Sequence, residues 1–314
     1  MQVVDRIGRR LKLHDLHVLM AVAQAGSMSK AAVLLSTGQP AISRSIADLE
    51  HALGVRLLER RRQGISLTKY GEALLEGGTK AFDDLHQAVK NIDFLRDPSA
   101  GQVRIGGNPF LSATFIASAV DHMSRRYPRI VCHMTTGNVR TLHQDLAERT
   151  VDLLVTRLFG PITSEHLNFE PLFDDPYAVV VSPDHPLARR RKIELAELRN
   201  ERWVLPPSDG PLGAVALEAF RSSGLDYPHA AVIGPSEVRV SLLATGRFIS
   251  IVPKSSLLFS VRYSGLKILP VKYSFRSVPV GIVTLKGRVI APVTKLFIDR
   301  CRELAAQHTK MDLL

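Results

Sequence analysis

Pro40, Ser43, Arg44 and Ala47 recur at steps of three and four, so on a helix they share one face. The chemistry of that face is recognition. A guanidinium can grip guanine or a phosphate, a hydroxyl can serve either, and small groups let the backbone come close to a base pair. The other side of the same segment, Gln39 to Leu53, carries Ile42, Ile46, Leu49 and Leu53 at i, i+4, i+7 and i+11, an apolar stripe that must pack on something.

The elements that would hold this helix precede and follow it. Leu13, Leu16, Leu19, Met20 and Ala23 give an amphipathic first helix ending near Gly26. Ser27 can cap a second, which holds Ala31, Ala32, Leu34 and Leu35. A tight turn, Ser36, Thr37 and Gly38, leads into the third helix, with Gly38 at the cap and Pro40 in the first turn, where its missing N–H costs nothing. Beyond Gly54, the apolar arms Val55 to Leu58 and Ile65 to Leu67 flank a basic tip of Arg60, Arg61, Arg62, Gln63 and Gly64, as in a hairpin wing laid along a phosphate backbone. Three short helices, a sharp turn and a wing make a winged helix-turn-helix.

Charge agrees. Residues 1 to 70 hold eleven Lys and Arg against five Asp and Glu, so six of the chain's eleven net positive charges sit in under a quarter of its length. A basic segment joined to a nearly balanced one points to a polyanionic partner for the first alone.

The run AGSMSKAAVLL, then QPAISRSIADLEHALGVRLLERR and the closing LTKYG, together Ala25 to Gly71, resembles the DNA-binding domain of the LysR-type transcriptional regulators. Where that family usually places Ser or Thr before the Gln-Pro pair, this chain has Gly38, which caps without offering a hydroxyl. The resemblance implies DNA contacts from Ser27, Ser29, Gln39, Pro40, Ser43, Arg44 and the wing residues Arg60, Arg61 and Arg62. Thr68, an expected helix cap, is counted with them.

From Thr68 to about Arg96, Leu75, Gly78, Phe82, Leu85, Val89 and Ile92 recur at alternating steps of three and four. This is a heptad seam that pairs two helices lengthwise or packs on the next domain. The resemblance favours a dimerising linker that ends at the Asp97 to Gly101 hinge. Paired recognition helices would read an operator with two-fold symmetry.

Past Gly101 the pattern changes to short strands alternating with helices. Strands are expected at Val103 to Gly106, Ile130 to Met134, Asp152 to Thr156, Tyr177 to Val181, Trp203 to Leu205, Ala230 to Ile233, Phe248 to Val252, Leu266 to Leu269 and Val278 to Leu285. That is α/β, and long enough for two cores. The resemblance implies two lobes like those of periplasmic binding proteins. The predicted organisation is a winged helix-turn-helix over 1–67, a linker helix over 68–97 and an effector domain over 102–309, with lobe one at 102–160 and 267–309 and lobe two at 161–266.

Ligands of such sheets bind where strands end and helices begin. The loop Asn108 to Thr114, holding Leu111 and Ser112, is one candidate rim, and Pro206 to Gly213, holding Ser208, is the other. Asn138, Arg157 and Ser236 could line the same crevice. Each has a plainer reading, as a helix cap for the serines and a surface ion pair for Arg157. Together they favour a small anionic or polyhydroxylated effector.

Catalytic signatures are missing. The chain has no Gly-x-Ser-x-Gly, no Walker-type loop and no His-Glu-x-x-His, and its eleven histidines are scattered, so no catalytic residue, metal site or cofactor is expected. Cys132 and Cys301 are too few for a disulfide framework, which fits a reducing cytoplasm. Arg300 and Arg302 flank Cys301, so a thiol-responsive regulator is a second reading. A non-specific, architectural DNA-binding protein is a third. The charged start Met1 to Arg10 and the lack of any long apolar run indicate neither export nor membrane insertion. RNA polymerase and homo-oligomeric partners are implied by the resemblance alone.

Overall fold

The computed structural model describes residues 11–61, 64–160, 164–260, 263, 265–272 and 276–311. The chain forms two units, Met1–Val89 and Lys90–Leu314.

In the first unit, helices α1 (Leu13–Ala25), α2 (Met28–Leu34) and α3 (Gln39–Leu53) precede a hairpin of β1 (Leu58–Arg61) and β2 (Gly64–Leu67), which pair antiparallel. The core joins Val18, Leu19 and Val22 of α1 to Ala31 and Ala32 of α2, Ile42, Ile46 and Leu49 of α3, and Leu57. The expected stripe on α1 is rotated. Leu13 is 50% exposed, while Leu16 and Met20 are only half-buried and Val18 and Val22 point inward. Apolar residues encircle this helix, so its sequence leaves the buried face open. On α2, likewise, Leu34 lies outside and the two alanines lie inside.

Two contacts lock the wing. Glu50 Oε1 accepts from the N–H groups of Leu57 at 2.7 Å and Leu58 at 3.2 Å, and Ile65 N donates to Gly26 O at 3.1 Å. The hairpin starts at Leu58, later than the arm expected from Val55, because Glu50 holds the preceding turn. Gly71 opens the next helix against this turn. A Cβ there would stand 2.2 Å from Leu57 O, so the close approach requires glycine.

Helix α4 (Lys69–Arg96) divides the predicted seam. Gly78 is buried and Phe82 half-buried, with the Phe82 ring centroid 5.7 Å from that of His17, whereas Leu85, Val89 and Ile92 are exposed. The early turns of the expected linker helix pack within the first unit, which runs to Val89. The stripe beyond Phe82 is left bare.

The second unit contains two five-stranded sheets. The first sheet orders β4-β3-β5-β12-β6, with β3 (Ala100–Gly107), β4 (Arg129–Thr136), β5 (Leu153–Arg157), β6 (Leu167–Asp175) and β12 (Val278–Leu285). It carries helices α5 (Ala117–Arg126), α6 (Val139–Ala147) and α10 (Pro292–Met311). The second sheet orders β11-β7-β10-β8-β9, with β7 (Tyr177–Val181), β8 (Trp203–Leu205), β9 (Ala230–Ile233), β10 (Ile249–Pro253) and β11 (Lys267–Ile268). Its helices are α7 (Pro211–Ser222) and α8 (Ser236–Leu243), and α9 (Ser255–Phe259) follows β10. Each lobe has its own core, centred on Phe115 and Phe297 in one and on Trp203 and Phe220 in the other.

The pairing moves both predicted crossings. β6 lies in the first sheet beside β12, so the outward crossing is Pro176, between Asp175 and Tyr177, rather than Gly160-Pro161. β11 lies in the second sheet beside β7, so the return falls between Lys272 and Val278, not at Ser264 to Lys267. The sequence does not predict strand β6, because Pro171 and its acidic residues oppose strand formation. It survives at the sheet edge, where Pro171 sits at the register shift opposite Gly281.

Candidate functional sites

The exposed face of α3 shows Gln39, Pro40, Arg44 and Ala47 to solvent, with Ser43 half-buried. Gly38 caps the helix with extended backbone and no side-chain bond, and Gln39 Nε2 donates to Ser43 Oγ at 3.4 Å across the first turn. The face is therefore polar, convex and held only by its apolar back. Ser27 accepts from Lys30 N at 3.5 Å as the cap of α2, and Ser29, two residues on, is exposed. Arg60 and Arg61 lie within β1 rather than in the turn, and Arg62 is outside the described residues. Thr68 serves the fold. Its hydroxyl donates to Arg56 O at 2.7 Å and accepts from Gly71 N at 3.1 Å, which caps α4.

Between the lobes lies a cavity of about 760 Å³. It opens where parallel strands end. Asn108 follows β3 and Asn138 follows β4 in lobe one, while Pro206 and Pro207 follow β8, and Gly234, Pro235 and Ser236 follow β9 in lobe two. Of the residues the sequence suggests, Asn108, Asn138, Arg157 and Ser236 all line it. Both asparagines also cap: Asn108 Oδ1 accepts from Leu111 N at 2.9 Å and Asn138 Oδ1 from Thr141 N at 3.0 Å. Ser236 makes no capping bond, since Pro235 is the residue before α8.

Three predicted residues fall elsewhere. After Asn108 the chain makes a turn, Pro109–Leu111, then a π-helical segment, Ser112–Ile116. This drives Leu111 into the core and sets Ser112 against the backbone of Gly107, its Oγ buried without a partner among the described residues, and neither lines the cavity. Ser208 is exposed in its loop, where its backbone packs over Gly213, and the wall is formed instead by Pro206, Pro207, Pro211 and Leu212.

Arg157 ends β5 and is 5% exposed. It is not a surface pair. Nη2 meets Asp175 Oδ2 at 2.6 Å, and the guanidinium carbon lies 5.3 Å from the Phe110 ring centroid. Asp175 is fully buried and also accepts from Ser255, at 3.0 Å from N and 2.6 Å from Oγ. Because Asp175 ends β6 in lobe one and Ser255 begins α9 after β10, this carboxylate fastens the lobes at the hinge. Beside it, burial pushes the Tyr177 hydroxyl up to about 12 and keeps the phenol neutral.

Phe110, from the predicted rim Asn108 to Thr114, lines the cavity, as do Arg239, Tyr177, Phe159 and Arg140, four residues that the sequence does not suggest. Arg239 carries a readable signal. It stands four residues before the fully buried Leu243 and three after Ser236, so it occupies the inward stripe of α8.

The thiols are unpromising as sensors. Cys301 is fully buried and Cys132 is partly so. Burial raises the pKa of both, and Arg302 is turned to Glu170 at 2.6 Å. Among the described residues no helix is long and apolar enough to cross a membrane.

Residues 13–72 match the family model for the bacterial regulatory helix-turn-helix protein, lysR family, and residues 96–306 match that for the LysR substrate binding domain. The transcriptional dual regulator GltC of Bacillus subtilis is 28% identical over 292 residues, spanning 92% of this chain and 96% of its own length. The HTH-type transcriptional regulator PcaQ of Agrobacterium fabrum is 26% identical over 302 residues, 96% of this chain and 97% of its own. Among solved structures, full-length OxyR from Pseudomonas aeruginosa superposes with a TM-score of 0.63 at 19% identity, covering 93% of this chain and 94% of that one. CbnR complexed with its target DNA superposes with a TM-score of 0.52 at 22% identity, covering 94% and 99%. These two likenesses concern the fold.

Proposed function

The chain belongs to the LysR family of transcriptional regulators, and we propose from that premise how its own residues divide the work of reading DNA and sensing an effector. As a family member it binds double-stranded DNA through its helix-turn-helix, carries an effector-binding domain and acts as an oligomer. The reading of DNA falls to Gln39, Pro40, Ser43 and Arg44 on the outer face of α3, with Ser29 and the wing arginines on phosphates. Glycine at 38 leaves the approach to the helix free of a side chain. The exposed stripe of Leu85, Val89 and Ile92 on α4 is the face on which a second copy pairs, which sets two recognition helices on one operator.

The observation that carries the effector reading is the cavity between the sheets, with side chains from both lobes on its walls and Arg157 at its hinge. A ligand there touches lobe one and lobe two at once. It therefore binds one lobe arrangement better than another, which is the condition for shifting an equilibrium. The effector domain begins at β3, and its two lobes exchange at Pro176 and before Val278. In the cell we place the protein in the cytoplasm, beside DNA and RNA polymerase, with no catalytic chemistry of its own.

A mobility-shift titration of the full chain on its mapped operator tests the assignment. Affinity for operator is expected to exceed that for random competitor by a factor of roughly a thousand or more. Equal affinity would reduce the protein to a non-specific binder.

A further inference from the structure

Three arginines line the cavity, Arg140 exposed and Arg157 and Arg239 buried, and the two buried guanidiniums differ in what answers their charge. Arg157 is met by Asp175 at 2.6 Å. Arg239, on α8, is 4% exposed and has no such partner: Nη1 donates to Ile251 O at 3.1 Å, and Nε is buried with no acceptor among the described residues. Burial opposes its positive charge, and Tyr263 and Glu237 favour that charge only through space. Buried charges are ordinarily paired, so a buried cation facing a cavity is half of an ion pair whose other half comes from outside.

We propose that Arg239 anchors a ligand bearing a single carboxylate on a largely apolar body. The inference rests on the cleft being the effector site and deepens that reading. With Nη1 on Ile251, Arg239 keeps Nε–H and the Nη2 amine side by side, the fork that receives both oxygens of a carboxylate. Prolines remove donors from one rim. Pro206, Pro207 and Pro211, in the loop from β8 into α7, offer a phosphate or a sugar no backbone N–H. The rest of the wall joins the apolar groups of Phe110, Phe159, Tyr177 and Leu212 to the polar side chains of Asn108, Asn138, Arg140, Ser236 and Glu237. A second buried carboxylate finds no second buried cation with its charge unmet among the described residues, because Arg157 is paired with Asp175; the other cation on the wall, Arg140, is exposed to solvent.

Calorimetric titration of the full chain with cyclohexanecarboxylate, cyclohexanecarboxamide and cyclohexyl phosphate tests this. The carboxylate is expected to bind about tenfold to a hundredfold tighter than its amide, the ratio given by a charge-assisted hydrogen bond. It is also expected to bind tighter than the phosphate. Arg239→Gln should bring carboxylate and amide to parity, and Arg239→Lys should hold part of the preference, since it keeps the charge and loses the fork. If the glutamine variant fails to fold, as judged by circular dichroism, the wild-type ranking and the lysine variant still decide. Equal binding of carboxylate and amide, or tighter binding of the phosphate, overturns the proposal.

Leu212→Trp, which fills the cleft, separates the two levels. If the probes bind without the expected ranking and Leu212→Trp abolishes them, only the anchor is wrong. If no probe binds, or if Leu212→Trp changes nothing, the cleft reading falls and takes the anchor with it.

Discussion

Arg44 stands in water on α3, with no ion-pair partner among the described residues, while Arg157 and Arg239 in the cleft are 5% and 4% exposed. The same side chain thus works under opposite physical rules in the two units. On the outer helix its charge acts over a distance on a polyanion and is weakened by salt, and the fold does not depend on it. In the cleft the surroundings are poorly polarisable, so each charge must meet a partner in place, and loss of the partner costs more than loss of the pair. Burial alone does not mark a binding residue. Both arginines keep a buried Nε with no acceptor among the described residues, but Arg157 has its charge met by Asp175 and Arg239 has no carboxylate bonded to it, and that difference separates hinge from anchor.

The sharpest way to break this contrast is Asp175→Asn, which leaves Arg157 uncompensated and weakens the tie to Ser255. Denaturant unfolding of the full chain should show a loss of about 3–5 kcal/mol. A loss below about 1 kcal/mol would mean that water, rather than Asp175, carries the Arg157 charge.

Arg44→Ala should do the reverse. Affinity for the operator is expected to fall by about 1–3 kcal/mol, with specificity relaxed at one position per half-site, while stability moves by no more than about 0.5 kcal/mol. Binding titrations on operator and random duplex check it. Equal losses on both would demote Arg44 from a base reader to a phosphate contact.

The same contrast governs what is legible in the sequence. The recognition helix is local: Ile42, Ile46 and Leu49 declare its inner face, and Gly38, Pro40 and Gly54 declare its ends. The cleft is assembled from segments far apart in the chain. The sequence points to Asn108 and Asn138 because each follows a strand and opens a helix, and to Arg157 because it closes one. It does not show that a π-helical turn swings Leu111 and Ser112 away from the cavity, or that Asp175 lies 2.6 Å from Arg157. Edge strand β6 is hidden by Pro171, whose tolerance depends on a bulge against Gly281. Arg239 escapes notice because a lone arginine on a short helix ordinarily faces solvent.

A smaller effect tests whether carboxylates in the first unit serve the fold. Glu50 accepts from Leu57 N and Leu58 N, and Glu50→Gln keeps an acceptor while removing its charge. The expected cost is about 1 kcal/mol of stability, read by denaturant unfolding, with DNA affinity lowered only in proportion to wing order. No change would place the hairpin's anchorage in the apolar contacts of Leu57.

The smallest effect concerns His185, which is 5% exposed in lobe two. Its Nδ1 accepts from Leu187 N at 3.2 Å, and Nε2 stands 4.0 Å from Glu201 Oε2. Burial lowers its pKa, and Glu201 opposes that only in part. The sign follows from linkage. The folded state favours the neutral ring, so His185 contributes stability above the ordinary imidazole pKa, and the contribution is lost as pH falls from that value toward the lowered one. His185→Asn keeps an acceptor for Leu187 N and cannot titrate. The melting temperature of the wild type should therefore drop more steeply than that of the variant on mild acidification, with the two slopes alike above neutrality. Identical slopes throughout would mean that Glu201 holds the protonated ring in place after all. The rule that interior charges need internal partners would then be met at this histidine by Glu201.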